Sequence, residues 1–264
     1  MIRPKKHLGQ HFLHDENIAR KIIGYLPDKA TNILEIGPGT GILTKYILRN
    51  KNFNSFFLEI DPESVRFLCQ TYPDIRERII SADVLEYDLS LIPAPFTIIG
   101  NFPYNISSQI LFKVIENRMV IPEVIGMFQK EVAERIASPP GSKKYGILSV
   151  LLQAYYNIDY LFTVSENVFY PPPKVQSGVI LLRRNNVEKL ECNEEFFIRV
   201  VKTAFNQRRK TLRNALKSLN QPDVMSPSAL LDKRAEQLSV ADFVFLTNAI
   251  IGDHRIFTNG MIFD

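Results

Sequence analysis

Apolar positions along the chain recur in two rhythms. Ile18, Ile22, Ile23 and Leu26 lie at helical spacing and stop at Pro27. Apolar runs then follow at residues 32–36, 53–60, 78–82, 96–100 and 123–129, each the length of a buried strand. Helical patterns alternate with them. One runs from about Ile42 to Arg49, one through Ile110, Leu111, Val114 and Ile115 behind a capping Ser107, and one through Val132 and Ile136. Strands alternating with helices predict βαβ units and an α/β sheet.

The rhythm changes in the second half. Gly146–Tyr156 reads as an apolar helix, and residues 160–164 and 179–182 read as strands of a late hairpin. Between those strands lies Phe169-Tyr170-Pro171-Pro172-Pro173-Lys174, where three prolines stiffen the loop. Polar residues across Asn185–Glu195 mark a linker. Everything beyond it reads helical, over 196–205, 207–219, 227–238 and 240–251, with 252–264 expected to fray. The expected organisation is a sheet domain over residues 1–185 and a small all-helical domain over residues 190–264.

Composition narrows the class. With 264 residues, 45% of them hydrophobic, the chain can bury a sizeable core, which excludes disorder. Two cysteines, Cys69 and Cys192, fit a reducing compartment and argue against zinc. No run has the length of a membrane span, and no long apolar stretch follows the basic N-terminus. The expectation is a soluble, cytoplasmic monomer.

Net charge is only +4, but it is unevenly placed. Residues 199–217 carry Arg199, Lys202, Arg208, Arg209, Lys210, Arg213 and Lys217 with no acid, and Arg3, Lys5 and Lys6 sit near the start. Two basic stretches on a net acidic remainder point to a polyanion held at defined places. His7, His11 and His14 lie close together, yet no carboxylate or cysteine joins them at ligand spacing, so no metal is expected.

The candidate chemistry lies at strand ends. Strand 32–36 leads into Gly37-Pro38-Gly39-Thr40-Gly41, where bare backbone can approach a nucleotide-like ligand. The loop lacks the Gly-Lys-Ser/Thr of a phosphate-binding loop, and its spacing weakens dinucleotide binding. Glu59 ends the next strand, where a carboxylate can accept ribose hydroxyls, and Asp83 ends the third, where one can reach an adenine amine. The fourth ends at Asn101-Phe102-Pro103-Tyr104, an amide that can accept from an exocyclic amine and an aromatic that can stack on a base. S-adenosylmethionine fits this set best, with backbone for its amino-acid tail, Glu59 for ribose and Asp83 for adenine.

Five segments in order then resemble one family. They are Lys6–Leu13, Leu34–Gly41, Gly100–Ser107, Gln129–Val132 and Phe169–Val175. Together they are similar to the ribosomal RNA adenine N6,N6-dimethyltransferases, most closely the bacterial small-subunit type. The resemblance implies a Rossmann-like class I S-adenosylmethionine-dependent methyltransferase sheet followed by a small helical domain. It implies dimethylation of two adjacent adenines in the 3′-terminal hairpin of 16S rRNA within the immature 30S subunit. Carried over by motif, His11, Leu13, Gly37, Gly39, Glu59, Asp83 and Asn101 would line the cofactor. Two positions depart from the family pattern, His11 for its usual Asn and Phe102 for its usual Leu.

The adenine amine is a poor nucleophile because its lone pair is delocalised. The Asn101 side-chain oxygen and the Phe102 carbonyl are expected to accept its two protons and draw nitrogen toward tetrahedral geometry. Residue 102 then contributes only backbone to the chemistry. Tyr104 and Phe169 would stack on the extruded base behind Pro103. Arg208, Arg209, Lys210 and Arg213 would hold RNA phosphates. Two other readings share these motifs. One is a 23S rRNA methyltransferase of the Erm type, disfavoured by the proline-rich loop and the long N-terminal match. The other is a non-catalytic RNA-binding assembly factor, disfavoured by an intact glycine loop and Asn101.

Overall fold

In the computed structural model of the chain, residues 2–27, 32–219 and 228–252 are described. They cluster into two compact units, one of residues 1–137 and 156–185, the other of residues 138–155 and 186–264.

The first unit begins with β1 (Phe12–Leu13) and α1 (Glu16–Ile23). It continues through β2 (Asn32–Ile36), α2 (Thr44–Ile47), β3 (Asn54–Glu59), α3 (Pro62–Thr71) and β4 (Ile79–Ser81). Then come β5 (Phe96–Asn101), α4 (Ser107–Glu116), β6 (Glu123–Gln129) and α5 (Lys130–Ala137). It closes with β7 (Tyr156–Val164), β8 (Phe169–Tyr170) and β9 (Ser177–Arg184). Seven strands form one sheet in the order β4-β3-β2-β5-β6-β9-β7, and β1 pairs with β8 beside it. Pairs from β4 to β6 are parallel, while β9 runs antiparallel to both β6 and β7.

This order follows from the sequence pattern. β2, β5 and β6 are apolar almost throughout, as strands covered on both faces must be. Ile33, Phe57, Ile99, Ile125, Val179 and Leu181 form a core cluster with Ala19 and Ile22 of α1 and Tyr46 and Ile47 of α2. Each large side chain so buried contributes roughly 1.5–3 kcal/mol. Asp61 caps α3, accepting from the Glu63 N–H at 3.1 Å, and Pro62 occupies the first turn. Ser107 is not a cap. It is the first residue of α4 and donates its hydroxyl to the Tyr104 carbonyl at 3.2 Å.

The second unit holds α6 (Ile147–Gln153), α7 (Glu194–Asn206), α8 (Leu212–Ala215), α9 (Ser228–Leu231) and α10 (Val240–Ile251). Residues 138–155, read from the sequence as part of the first domain, cluster here, with α6 against α7 and α10. The helix expected over 207–219 is broken. Thr211 is extended (φ −64°, ψ 155°) and bridges Arg234, and the Leu212 N–H donates to the Lys233 carbonyl at 2.8 Å. Leu212 and Leu216 are buried nonetheless, so the apolar rhythm marks the core side but not the kink between turn and helix. Of the expected helix over 227–238, residue 227 lies outside the described residues. The rest is α9 and a short turn at Ala235–Gln237. Of the stretch 252–264, only Gly252 is described.

Candidate functional site

β2 and β5 are neighbours from which the chain departs in opposite directions, so a crevice opens beyond their carboxyl ends. A cavity lies there. Ile36, Gly37, Gly39, Leu58, Glu59, Ile60, Asn101, Phe102, Pro103, Tyr104 and Ile106 line it, together with Leu8–Phe12 from the N-terminal segment. No group of metal-ligating residues occurs among the described residues.

Backbone forms one wall. Gly39 has φ 55° and donates its N–H to Glu59 Oε2 at 2.9 Å, and a β-carbon there would sit 2.8 Å from the Phe12 ring. Only glycine satisfies both demands. Glu59 Oε1 accepts the Asp61 N–H at 2.8 Å, so both oxygens of this buried carboxylate are held in place. Burial pushes its pKa up, against the backbone N–H groups of Asp61 and Gly39. A buried, oriented carboxylate beside a glycine loop, with Ile36, Leu58 and Ile60 around it, fits the ribose and purine of S-adenosylmethionine.

Behind the loop, Glu35 is fully buried and accepts from the Thr44 hydroxyl at 2.6 Å. Burial pushes its pKa from 4.5 up to about 8. The folded chain therefore keeps a proton that the unfolded chain releases, and stability falls as pH rises from about 4.5 towards 8. Glu35→Gln removes that slope. Between about pH 5 and about pH 7.5, the variant should lose less stability to rising pH than the parent, by on the order of 3 kcal/mol, as read from urea midpoints.

The N-terminal segment is fastened at several points. Lys5 pairs through its ammonium with Asp61 Oδ1, and Gln10 Nε2 donates to Asp61 Oδ2 at 3.2 Å. Burial of Asp61 opposes its ionisation. Hydrogen bonds from Lys5, Gln10, the Glu63 N–H and Ser64 outweigh that, holding its pKa below the ordinary carboxylate value. Further along, Asn101 Nδ2 donates to the His11 carbonyl at 2.8 Å, which leaves Oδ1 as the open end of the amide. His11 Nδ1–H donates to the Pro171 carbonyl at 2.7 Å, and its ring stacks on Tyr104 at 5.6 Å. The Tyr104 hydroxyl meets Ser177 Oγ at 2.6 Å.

The structure thus brings together His11, Gly37, Gly39, Glu59, Asn101, Phe102, Pro103 and Tyr104. Asp83 does not line the cavity. It opens the turn after β4, where Oδ1 accepts the Leu85 N–H at 2.8 Å. Leu13 is buried in the core cluster, not in the cavity wall. Phe169 departs from its expected stacking role: it is 2% exposed in the same cluster and paired with Leu13, so it presents no face to a base. Phe102 is 1% exposed, its ring edge-on to Phe128 at 5.0 Å. Lys5 was counted from the sequence only among the basic residues near the start, not as a partner of Asp61, and Gln10, Phe12 and Asp61 were given no role of their own. Their signal was weak, because a contact between residues 5 and 61 leaves no trace in local spacing.

In the second unit the four basic candidates divide. Arg208 donates to the Lys143 carbonyl and lies 3.7 Å from Glu236, and Arg213 pairs with Asp232 at 2.9 Å. Arg209 and Lys210 are exposed on the turn before Thr211, with no carboxylate partner among the described residues.

Comparisons with known proteins identify the family. The family model for ribosomal RNA adenine dimethylase matches residues 1–251. A protein of Cytophaga hutchinsonii named ribosomal RNA small subunit methyltransferase A is 55% identical, over 95% of this chain and 98% of that one. Its namesake in Flavobacterium johnsoniae is 56% identical, over 96% and 97%. Among solved structures, a dimethyladenosine transferase from Plasmodium falciparum superposes with a TM-score of 0.76 at 25% identity, over 92% of this chain and 98% of that one. The 23S rRNA methyltransferase ErmE follows with a TM-score of 0.68 at 24% identity, over 91% and 99%, a likeness of fold. Matched by that family model along residues 1–251, and more than half identical to relatives over nearly its whole length, the chain belongs to the ribosomal RNA adenine dimethylase family.

Proposed function

We propose that this chain dimethylates N6 of two adjacent adenines in the 3′-terminal hairpin of 16S rRNA, acting as a cytoplasmic monomer on the immature 30S subunit. The observation that carries the reading is Asn101. Its amide is pinned by the His11 carbonyl at the end of β5, in the cavity that Glu59 also lines. Glu59 and the Gly37–Gly41 backbone would hold S-adenosylmethionine, which supplies a methyl group on an electrophilic sulfonium. The chain's own part is orientation. Asn101 Oδ1 and the Phe102 carbonyl accept the amine protons, which localises the nitrogen lone pair without prior deprotonation. Tyr104, braced by Ser177 and His11, holds the base plane. A base held by acceptors and stacking leaves the same nitrogen able to react twice.

RNA phosphates would meet the second unit at Arg209 and Lys210, which are exposed and have no carboxylate partner among the described residues. Arg208 and Arg213 serve first to join segments of that unit. Arg209→Glu with Lys210→Glu is expected to weaken rRNA binding and to lower the salt slope of log K by about 2, while S-adenosylmethionine affinity by calorimetry stays unchanged. An unchanged salt slope would remove these residues from the interface.

The activity is tested by incubating undermethylated 30S and 50S particles with the chain and S-adenosylmethionine, then quantifying dimethyladenosine by mass spectrometry. Product confined to the 30S rRNA hairpin is expected. Product on 50S particles instead would favour the Erm-type reading.

A further inference from the structure

A second hollow, of about 490 Å³, adjoins the cavity described above and shares Gly9, Gln10, His11 and Tyr104 with it. That volume falls within the roughly 300–1,000 Å³ typical of small-molecule sites. Three features distinguish it. Its partition from the first cavity is stiff, because the stacked rings of His11 and Tyr104 are each tied down, one to the Pro171 carbonyl at 2.7 Å and the other to Ser177 at 2.6 Å. One wall is apolar, formed by Pro171, Pro172 and Pro173, whose rings fix the backbone, and by Val175. Its charged lining is Lys6 and Lys174, both exposed, and no carboxylate lines it.

We infer that this hollow seats the nucleotide adjoining the target adenine, so that one adenine of the pair waits beside the wall while the other is methylated. The inference rests on the proposed activity and deepens it. Lys6 and Lys174 supply positive charge for the phosphate of that nucleotide, and the prolines and Tyr104 supply apolar surface for its base. Gln129, at the end of β6, brings an amide able to donate to or accept from a base edge. The proline wall also explains how one seat serves both rounds. An N6-dimethylated adenine has lost its two amine donors and gained two methyl groups. A wall of hydrogen-bonding groups would be left unpaired by it, whereas an apolar wall is not.

The test uses the full chain, S-adenosylmethionine and small-subunit particles reconstituted with rRNA in which the neighbour of one target adenine is either adenosine or an abasic nucleotide. Methyl transfer into the remaining target is followed by mass spectrometry, and KM and kcat are separated. The unaltered chain should show a KM about 10-fold higher for the abasic substrate, the loss expected when one stacked base is removed, with kcat changed much less. Gln129→Ala should raise KM for the intact substrate and shrink that ratio, whereas Lys174→Ala should raise KM for both substrates alike, since an abasic nucleotide keeps its phosphate, with S-adenosylmethionine affinity unchanged in each. A chain indifferent to the abasic neighbour, or a Gln129→Ala variant that keeps the full ratio, would overturn the inference while leaving the methyl transfer intact. Failure to methylate either substrate would instead overturn the activity on which it rests.

Discussion

Asn101→Ala is expected to fold, to bind S-adenosylmethionine, and to lose about 100- to 1,000-fold in kcat, the usual cost of removing one preorganised hydrogen-bonding group from a reacting centre. The fold should survive because Asn101 is only half-buried and its recorded bond, to the His11 carbonyl, is a single neutral one worth about 1 kcal/mol. The chemistry should not survive, because no other side-chain amide or carboxylate in the cavity wall stands at the end of β5. Asn101→Asp separates the two halves of the role. It keeps an acceptor for the amine but replaces the donor to His11 with a second oxygen facing a carbonyl. Its activity should therefore lie between alanine and the parent. Single-turnover methylation, with cofactor affinity measured by calorimetry, checks both. Near-normal turnover in the alanine variant would sink the assigned role.

Phe102→Ala is expected to cost about 3–5 kcal/mol of stability, and Phe102→Leu less than about 1.5 kcal/mol. The ring fills a space that two glycines leave open. A β-carbon on Gly100 would sit 2.7 Å from it, and one on Gly126 would sit 2.6 Å from it. Phe128 closes the same space edge-on. Removing the ring therefore opens a cavity walled by strand backbone, which cannot collapse to fill it. Leucine keeps most of the volume. The sequence reading assigned residue 102 only a backbone carbonyl. The structure adds a second and separate task for its side chain, wedging the ends of β5 and β6. Thermal melting checks the magnitudes: the alanine variant should melt roughly 10 °C lower. An alanine variant as stable as the parent would refute the wedge.

Parts of this architecture were open to reading along the chain and parts were not. Strand 123–129 and helix 240–251 were bounded correctly, because each has an unbroken apolar rhythm and a clear stop, Lys130 beginning a helix after the one and Gly252 in a left-handed turn after the other. The break at Thr211 was not legible, since it falls in the polar stretch before Leu212, where no apolar spacing is interrupted, and only the bridge to Arg234 reveals it. At the site, Glu59 and Asn101 were found because strand ends are local features. Asp83 and Phe169 carried the same local marks, yet one carboxylate oxygen of Asp83 is bound within its own turn and Phe169 lies in the core. Which way a side chain turns at a strand end depends on what packs beside it. For Phe169 that neighbour is Leu13, more than a hundred and fifty residues away along the chain.

The fastening of the N-terminal segment has a consequence for the order of assembly. Its anchors span 56 residues from Lys5 to Asp61, 90 from His11 to Asn101, and 160 from His11 to Pro171. Loops that long are closed at an entropic cost that the sheet's own contacts must already have offset. The segment precedes all of its anchors along the chain, and Pro171 must be in place before His11 can reach it. A nascent chain can therefore complete these fastenings only once it has been extended past Pro171, well before its last helices are made.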